Sequence, residues 1–190
     1  MSRSKQPLAI KKAEEEEDLI EDVLIDDCNN FVGLKVTYGS TQVTNRCRLT
    51  SDQTNDRPIV EIRGDANSFY TLVMVDPDSP SRDKPTEREH LLCQYSSRGS
   101  NLRYVLTQFF FDCLEINGYY IFTFGEEVVP YEGPFPHRWI HRIVFVLFRM
   151  KSGRIVKAPE KRTNFNTTEF AAKYELQDVA GVFFNSRRRG

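Results

Sequence analysis

Phe69-Tyr70-Thr71-Leu72-Val73-Met74-Val75-Asp76-Pro77-Asp78-Ser79-Pro80-Ser81-Arg82 decides the fold. Phe69 to Val75 is a run of apolar and β-favouring residues, which reads as a strand buried on both faces. Pro77 then removes a ladder donor, and Asp78, Ser79 and Pro80 favour a turn. A core strand therefore stops abruptly and delivers two carboxylates, Asp76 and Asp78, to a sheet edge. The core has no need of a carboxylate there, so both aspartates are candidates for a site. The spacing fits equally well two aspartates that only cap the turn.

A second stretch has the same design. Tyr131-Glu132-Gly133-Pro134-Phe135-Pro136-His137-Arg138-Trp139-Ile140-His141-Arg142 is a Pro/Gly-rich loop that feeds His141 and Arg142 into an apolar run, and the two make a buried strand over 140–150. Between and around these stretches the pattern stays β. Leu34, Val36 and Tyr38 alternate with Lys35 and Thr37, a half-buried strand, and Gly39-Ser40 turns the chain. Pro58 opens another strand, where a missing N–H is tolerated. Asn166-Thr167-Thr168-Glu169 has capping-box spacing and predicts a short helix over 167–176, with Phe170, Ala171 and Tyr174 on one face. Val179 to Phe184 reads as a last strand and Arg187-Arg188-Arg189 as a basic tail. Many strands, few helices and no βαβ rhythm predict a mainly antiparallel β protein.

Composition bounds what such a domain does. At 190 residues the chain predicts one domain with a sizeable core, and 39% hydrophobic residues make it globular. With 26 basic and 27 acidic residues, bulk charge gives no sign of a nucleic-acid binder. No apolar run approaches the ~20 residues a bilayer requires. The N-terminus lacks a signal peptide's apolar core, so a cytoplasmic and nuclear location is expected. Within an N-terminal arm, 1–30, the acidic run Glu14–Asp18 followed by Leu19, Ile20, Val23 and Leu24 fits a helix over 13–25; a solvated arm fits as well. Cys28, Cys47, Cys93 and Cys113 have no CxxC or zinc spacing and read as free thiols. There is no nucleophile elbow, P-loop or HExxH. His137 and His141 fall on a loop and a strand instead of one helical face, which argues against a metal. Asp76 and Asp78 lack the third partner that acid–base catalysis needs. No enzyme, cofactor or metal site is therefore expected.

Taken together, the two stretches resemble the phosphatidylethanolamine-binding protein family, whose signatures are Asp-Pro-Asp-x-Pro-Ser and Gly-x-Pro…Ile-His-Arg. Further matches are Leu34–Gly39, Val43-Thr44-Asn45, Arg88-Glu89-His90-Leu91, Thr123-Phe124-Gly125, Asn164–Thr167 and Val182–Asn185. They look like its plant florigen and terminal-flower branch. The resemblance implies a large central antiparallel sheet flanked by a smaller one, with a short C-terminal helix, over 31–186, and a tail at 187–190. It implies an anion or head-group pocket drawn from Asp76, Asp78, His90, His141, Arg142 and Pro134. In that pocket Asp76 would orient His141, whose other N–H would face the ligand.

Three departures follow from the same comparison. Leu92 and Cys93 stand where the family has a pocket histidine and a tryptophan. Trp139 stands where it has a glycine, a position that strains if it requires positive φ. Residues 94–122 read as an atypical insertion lying outside the sheet. The resemblance further implies a monomeric, non-enzymatic regulator of flowering time or meristem fate, binding 14-3-3 proteins and through them a bZIP transcription factor. The partner surface would use Phe124, Arg154 and Asn67, the last standing in place of an arginine. His90 sides with the repressor type, whereas Ala158-Pro159 and Asn164-Phe165-Asn166 side with the florigen type, so the sign of regulation stays open. The alternatives are a phospholipid head-group or anion binder without partner assembly, and a kinase or protease inhibitor.

Overall fold

The computed structural model describes residues 32–64, 68–98, 102–105, 114–116, 119–121, 125–151 and 156–188. The opening stretch is a strand, β5 (Phe69–Asp76), and the apolar run after the second loop is β11 (Ile140–Met150). These two pair antiparallel at the centre of a six-stranded sheet. Outward from β5 lie β6 (His90–Arg98) and β10 (Gly125–Val129); outward from β11 lie β12 (Leu176–Arg187) and β3 (Cys47–Thr50). All pairs are antiparallel except β12 with β3, which run parallel at the edge. A smaller sheet holds β2 (Thr41–Gln42), β1 (Gly33–Tyr38), β4 (Ile59–Arg63) and β7 (Leu102–Val105) in that order. β8 (Leu114–Ile116) and β9 (Tyr119–Ile121) form a separate hairpin. The helix, α1, is Thr167–Tyr174; the Asn166 side chain caps it, accepting from the N–H groups of Thr168 and Glu169.

The double-sided burial of β5 follows from period-2 alternation between two covered faces. Tyr70, Leu72 and Met74 point toward the small sheet, packing with Val36, Tyr38, Val60, Ile62, Phe145 and Phe184. Val73 and Val75 point the other way, packing with Val144, Val146, Phe148, Phe165 and Phe170. The expected large sheet, smaller sheet and C-terminal helix are therefore present.

Two expectations change. The last strand is not 179–184 but the full Leu176–Arg187, drawn out by pairing along all eleven residues of β11, with an irregularity at Leu147/Phe148. The stretch 94–122 does not lie wholly outside the sheets. Gln94–Arg98 continue β6 between β5 and β10, and Leu102–Val105 pair with β4. The arm 1–30, with Cys28, and Cys113 lie outside the described residues; Cys47 and Cys93 are free thiols.

Candidate functional site

At the end of β5 the pleat sends Asp76 toward the small-sheet face, and Asp78 lies just beyond the strand end. The structure brings most of the expected residues together there, but as two closed pairs. Asp76 and His141 form one: His141 Nδ1–H donates to Asp76 Oδ2 at 2.7 Å. Asp78 and Arg142 form the other. Asp78 Oδ2 accepts from the Arg142 backbone N–H at 2.8 Å and from Nε at 2.9 Å, while Oδ1 accepts from the second guanidinium nitrogen at 2.5 Å. The pairs are stitched by the Asp78 N–H donating to Asp76 Oδ1 at 2.8 Å. All four side chains are buried. Both Asp78 oxygens are therefore engaged by Arg142, in the fork geometry that suits a guanidinium.

His141 is the centre of the site. Its Nε2–H, expected from the family pattern to face a ligand, donates here to the Arg138 carbonyl at 3.1 Å. With a carboxylate on one nitrogen and a carbonyl on the other, both nitrogens act as donors, which is the imidazolium arrangement. Burial pulls the His141 pKa down. The hydrogen bond and charge of Asp76, with help from Asp78 and the Arg138 carbonyl, outweigh it and hold the ring above the ordinary histidine value. The Arg138 carbonyl belongs to the loop next to Trp139, which sits at φ 64°, in the left-handed region. The glycine expected in the family pattern at 139 is thus explained by backbone conformation. Tryptophan tolerates the strain here with its side chain 73% exposed.

His90 opposes Asp76 across β5 and β6 but bonds outward, its Nε2 to Glu132 Oε2 at 3.1 Å. The other Glu132 oxygen lies 3.2 Å from Arg162 Nε. Arg162 also donates to the carbonyls of Leu91, Leu92 and Pro130. Backbone bonds between Glu89 and Phe165, Leu91 and Arg162, and Glu87 and Asn164 sew the 160–166 loop to the start of β6. Buried Glu89 accepts from the Thr167 N–H at 3.0 Å and from its hydroxyl, anchoring α1; burial raises its pKa, against the pull of those bonds. Pro134 is buried, and so are Leu92 and Cys93, which pack in the core facing the small sheet. Phe124, Arg154 and Asn67 lie outside the described residues. Glu132, Arg162 and the Arg138 carbonyl escaped the sequence reading. Only Glu132 carried a signal, as the lone acid in the Pro/Gly-rich loop.

Among the described residues, no cluster of His, Cys, Asp and Glu is arranged to hold a metal, and no helix is long and apolar enough to cross a membrane.

Comparison with known proteins agrees with this architecture. The phosphatidylethanolamine-binding protein family model matches residues 35–184. Protein FLOWERING LOCUS T of Arabidopsis thaliana is 44% identical over 87% of this chain and 85% of its own. Protein TERMINAL FLOWER 1 of the same plant is 42% identical over 82% and 79%. Among solved structures, a phosphatidylethanolamine-binding protein from Plasmodium vivax superposes with a TM-score of 0.68 at 21% identity, covering 97% of this chain and all of that one. A carboxypeptidase Y inhibitor, solved with its cognate proteinase, gives 0.65 at 19% identity over 82% and 83%. Identities this low speak for the fold alone. The chain belongs to the phosphatidylethanolamine-binding protein family, and its relatives include the plant proteins FLOWERING LOCUS T and TERMINAL FLOWER 1.

Proposed function

We propose that the chain is a non-enzymatic regulator of flowering time or meristem fate that works by assembling with 14-3-3 proteins and, through them, a bZIP transcription factor. Identity above 40% over most of the chain to plant proteins named for flowering supports the biological setting. The non-catalytic reading rests on one observation: both ring nitrogens of His141 are spent on Asp76 and the Arg138 carbonyl. A general acid or base needs a nitrogen within reach of substrate, and this ring offers none. The near-balanced charge supports a bridged contact with DNA through the bZIP partner over a direct one. A monomer passing between cytoplasm and nucleus fits this role.

The partner surface is assigned to Phe124 as apolar anchor, with Arg154 on its rim and Asn67 in place of an arginine. Immobilised 14-3-3 should retain the chain. Phe124→Ala should abolish retention, and Arg154→Ala should weaken it in a salt-sensitive way. Retention of Phe124→Ala at full strength would defeat the assignment.

A second reading, capture of an anionic head group, is favoured by the Asp76–His141 pair at the sheet end. It requires the Arg138 carbonyl to give way to the ligand. A phosphate titration followed by calorimetry separates it from the first. Inhibition of a kinase or protease is the third reading, and a direct inhibition assay tests it.

A further inference from the structure

Arg46-Cys47-Arg48-Leu49-Thr50-Ser51 is a stretch that the proposed function leaves unused. Arg46 and Arg48 are exposed, and neither guanidinium has a hydrogen-bond or ion-pair partner among the described residues. They stand five and three residues ahead of Ser51. Arg46 precedes and Arg48 belongs to β3, a four-residue edge strand that pairs with β12 alone among the described strands. Ser51 opens the short 3-10 turn Ser51–Thr54 that follows. The residue is only 8% exposed, but its hydroxyl makes no hydrogen bond and is not sealed from solvent.

This turn is coupled to the loop that leads into β11. The Thr54 hydroxyl donates to the Thr50 and Ser51 carbonyls at 3.2 and 3.3 Å. The Thr54 carbonyl accepts from the Tyr131 hydroxyl at 2.6 Å, and that hydroxyl lies 3.1 Å from the one on Tyr38. Gly133 approaches the same carbonyl so closely that a Cβ there would stand 2.8 Å from its oxygen. A change at residue 51 is therefore passed to 131–133 through one buried residue, Thr54.

We propose that Ser51 is a phosphorylation site for a basophilic serine/threonine kinase, read through Arg46 and Arg48, and that the phosphate loosens the 51–54 turn and its hold on Tyr131. Such a kinase offers carboxylates to the arginines of its substrate, and the charge pattern selects the segment. It takes that segment extended, so β3 must lift from β12. A short edge strand opens for far less than global unfolding costs. In the transfer, Ser51 Oγ bonds to the γ-phosphorus of ATP as the bond to the bridging β,γ oxygen breaks. The hydroxyl proton goes to the catalytic carboxylate of the kinase, and ADP leaves. The product carries about −1.5 to −2 charges at pH 7 beside exposed Asp52, where like charges repel. The inference does not depend on which partner the chain assembles with.

Full-length protein is incubated below its melting temperature with Mg-ATP and protein kinase B as the probe, and the modified residue is mapped by tandem mass spectrometry. The expected result is phosphate on Ser51, lost in Ser51→Ala. Arg48→Ala should lower kcat/KM for the transfer about ten- to a hundredfold, the effect of one charged hydrogen-bonded contact. Arg46→Ala should lower it as well. Both arginines are exposed, and unchanged melting temperatures would show that the variants stay folded. The phosphorylated protein should exchange its amide hydrogens faster than the unmodified one over 51–57 and 131–133.

The proposal is overturned if Ser51 stays unmodified in the folded protein, or is labelled only above the melting temperature. Labelling of an Arg46→Ala, Arg48→Ala double variant at the parent rate also overturns it, as does phosphate on Thr50 in place of Ser51. Unchanged exchange over 131–133 after complete labelling removes the switch and defeats the proposal as stated.

Discussion

Replacing Trp139 with glycine should stabilise the protein, and the size of the effect follows from the backbone. The residue sits at φ 64°, where a Cβ crowds the following carbonyl at a cost of about 1–2 kcal/mol for an L residue other than glycine. Glycine removes that cost but returns about 0.5–1 kcal/mol through the greater freedom of the unfolded chain. The side chain is 73% exposed, so little packing is lost. The net gain is roughly 0.5–1 kcal/mol, which for a chain of this size is a rise in melting temperature of about 1–4 °C. Trp139→Ala is the decisive companion. It removes the indole but keeps the Cβ, so it should stay within about 0.5 kcal/mol of the parent. Differential scanning calorimetry without lipid measures all three proteins. If alanine and glycine shift the midpoint equally, the backbone argument is wrong. If glycine lowers it, Trp139 packs against something its exposure hides.

Three further outcomes are expected. Asp78→Ala removes the acceptor of three Arg142 hydrogen bonds in a buried pair and should cost about 3–5 kcal/mol in urea denaturation; a loss below about 1 kcal/mol would show that the pair is incidental. The folded-state pKa of His141 is raised above its ordinary 6.5, so its contribution is complete below that value and is lost as pH rises through the folded pKa. Buried Glu89 has the same sign starting from 4.5, so the stability lost from pH 6.5 upward must be compared between parent and His141→Gln, and an identical slope in both would remove His141 as its source. Finally, phosphate should bind weakly, since the Arg138 carbonyl already takes Nε2 and Leu92 offers no donor. Leu92→His with Trp139→Gly should tighten binding roughly ten- to a hundredfold by calorimetry, and equal affinity in parent and double variant would refute the pocket argument.

The sheet was legible where side-chain chemistry and strand geometry agreed. The apolar run Phe69–Val75 bounded by Pro77 permits little but a core strand, and β5 begins and ends within one residue of it. Gln94-Tyr95-Ser96-Ser97-Arg98 was not legible, because its composition is that of a loop. It is a strand because β5 on one side and β10 on the other supply the ladder, and tertiary pairing outweighs local propensity. The start of β12 was hidden in the same way. Leu176, Gln177 and Asp178 carry no apolar alternation, yet they pair with Met150, Arg149 and Phe148.

The site divides along a similar line. A carboxylate ending one core strand and a histidine beginning the next could be paired from sequence, because adjacent strands bring their ends together. The third member could not, because it is a backbone carbonyl placed by a left-handed residue, and no side-chain pattern announces which way a peptide points. The link between His90 and the 160–166 loop was also invisible, and it changes how the two family markers are weighed. Taken as separate positions, His90 sides with the repressor type and Ala158-Pro159 with Asn164-Phe165-Asn166 side with the florigen type, while Glu160-Lys161-Arg162-Thr163 between them matches neither. In the structure they share one carboxylate: Glu132 meets His90 with one oxygen and Arg162 with the other. A change at residue 90 therefore removes one of the two side chains that hold Glu132 and, through it, alters the hold on a loop whose Arg162 also bonds three carbonyls. The two positions therefore belong to one side-chain network, and substitutions at residues 90 and 162 should be non-additive in a stability measurement.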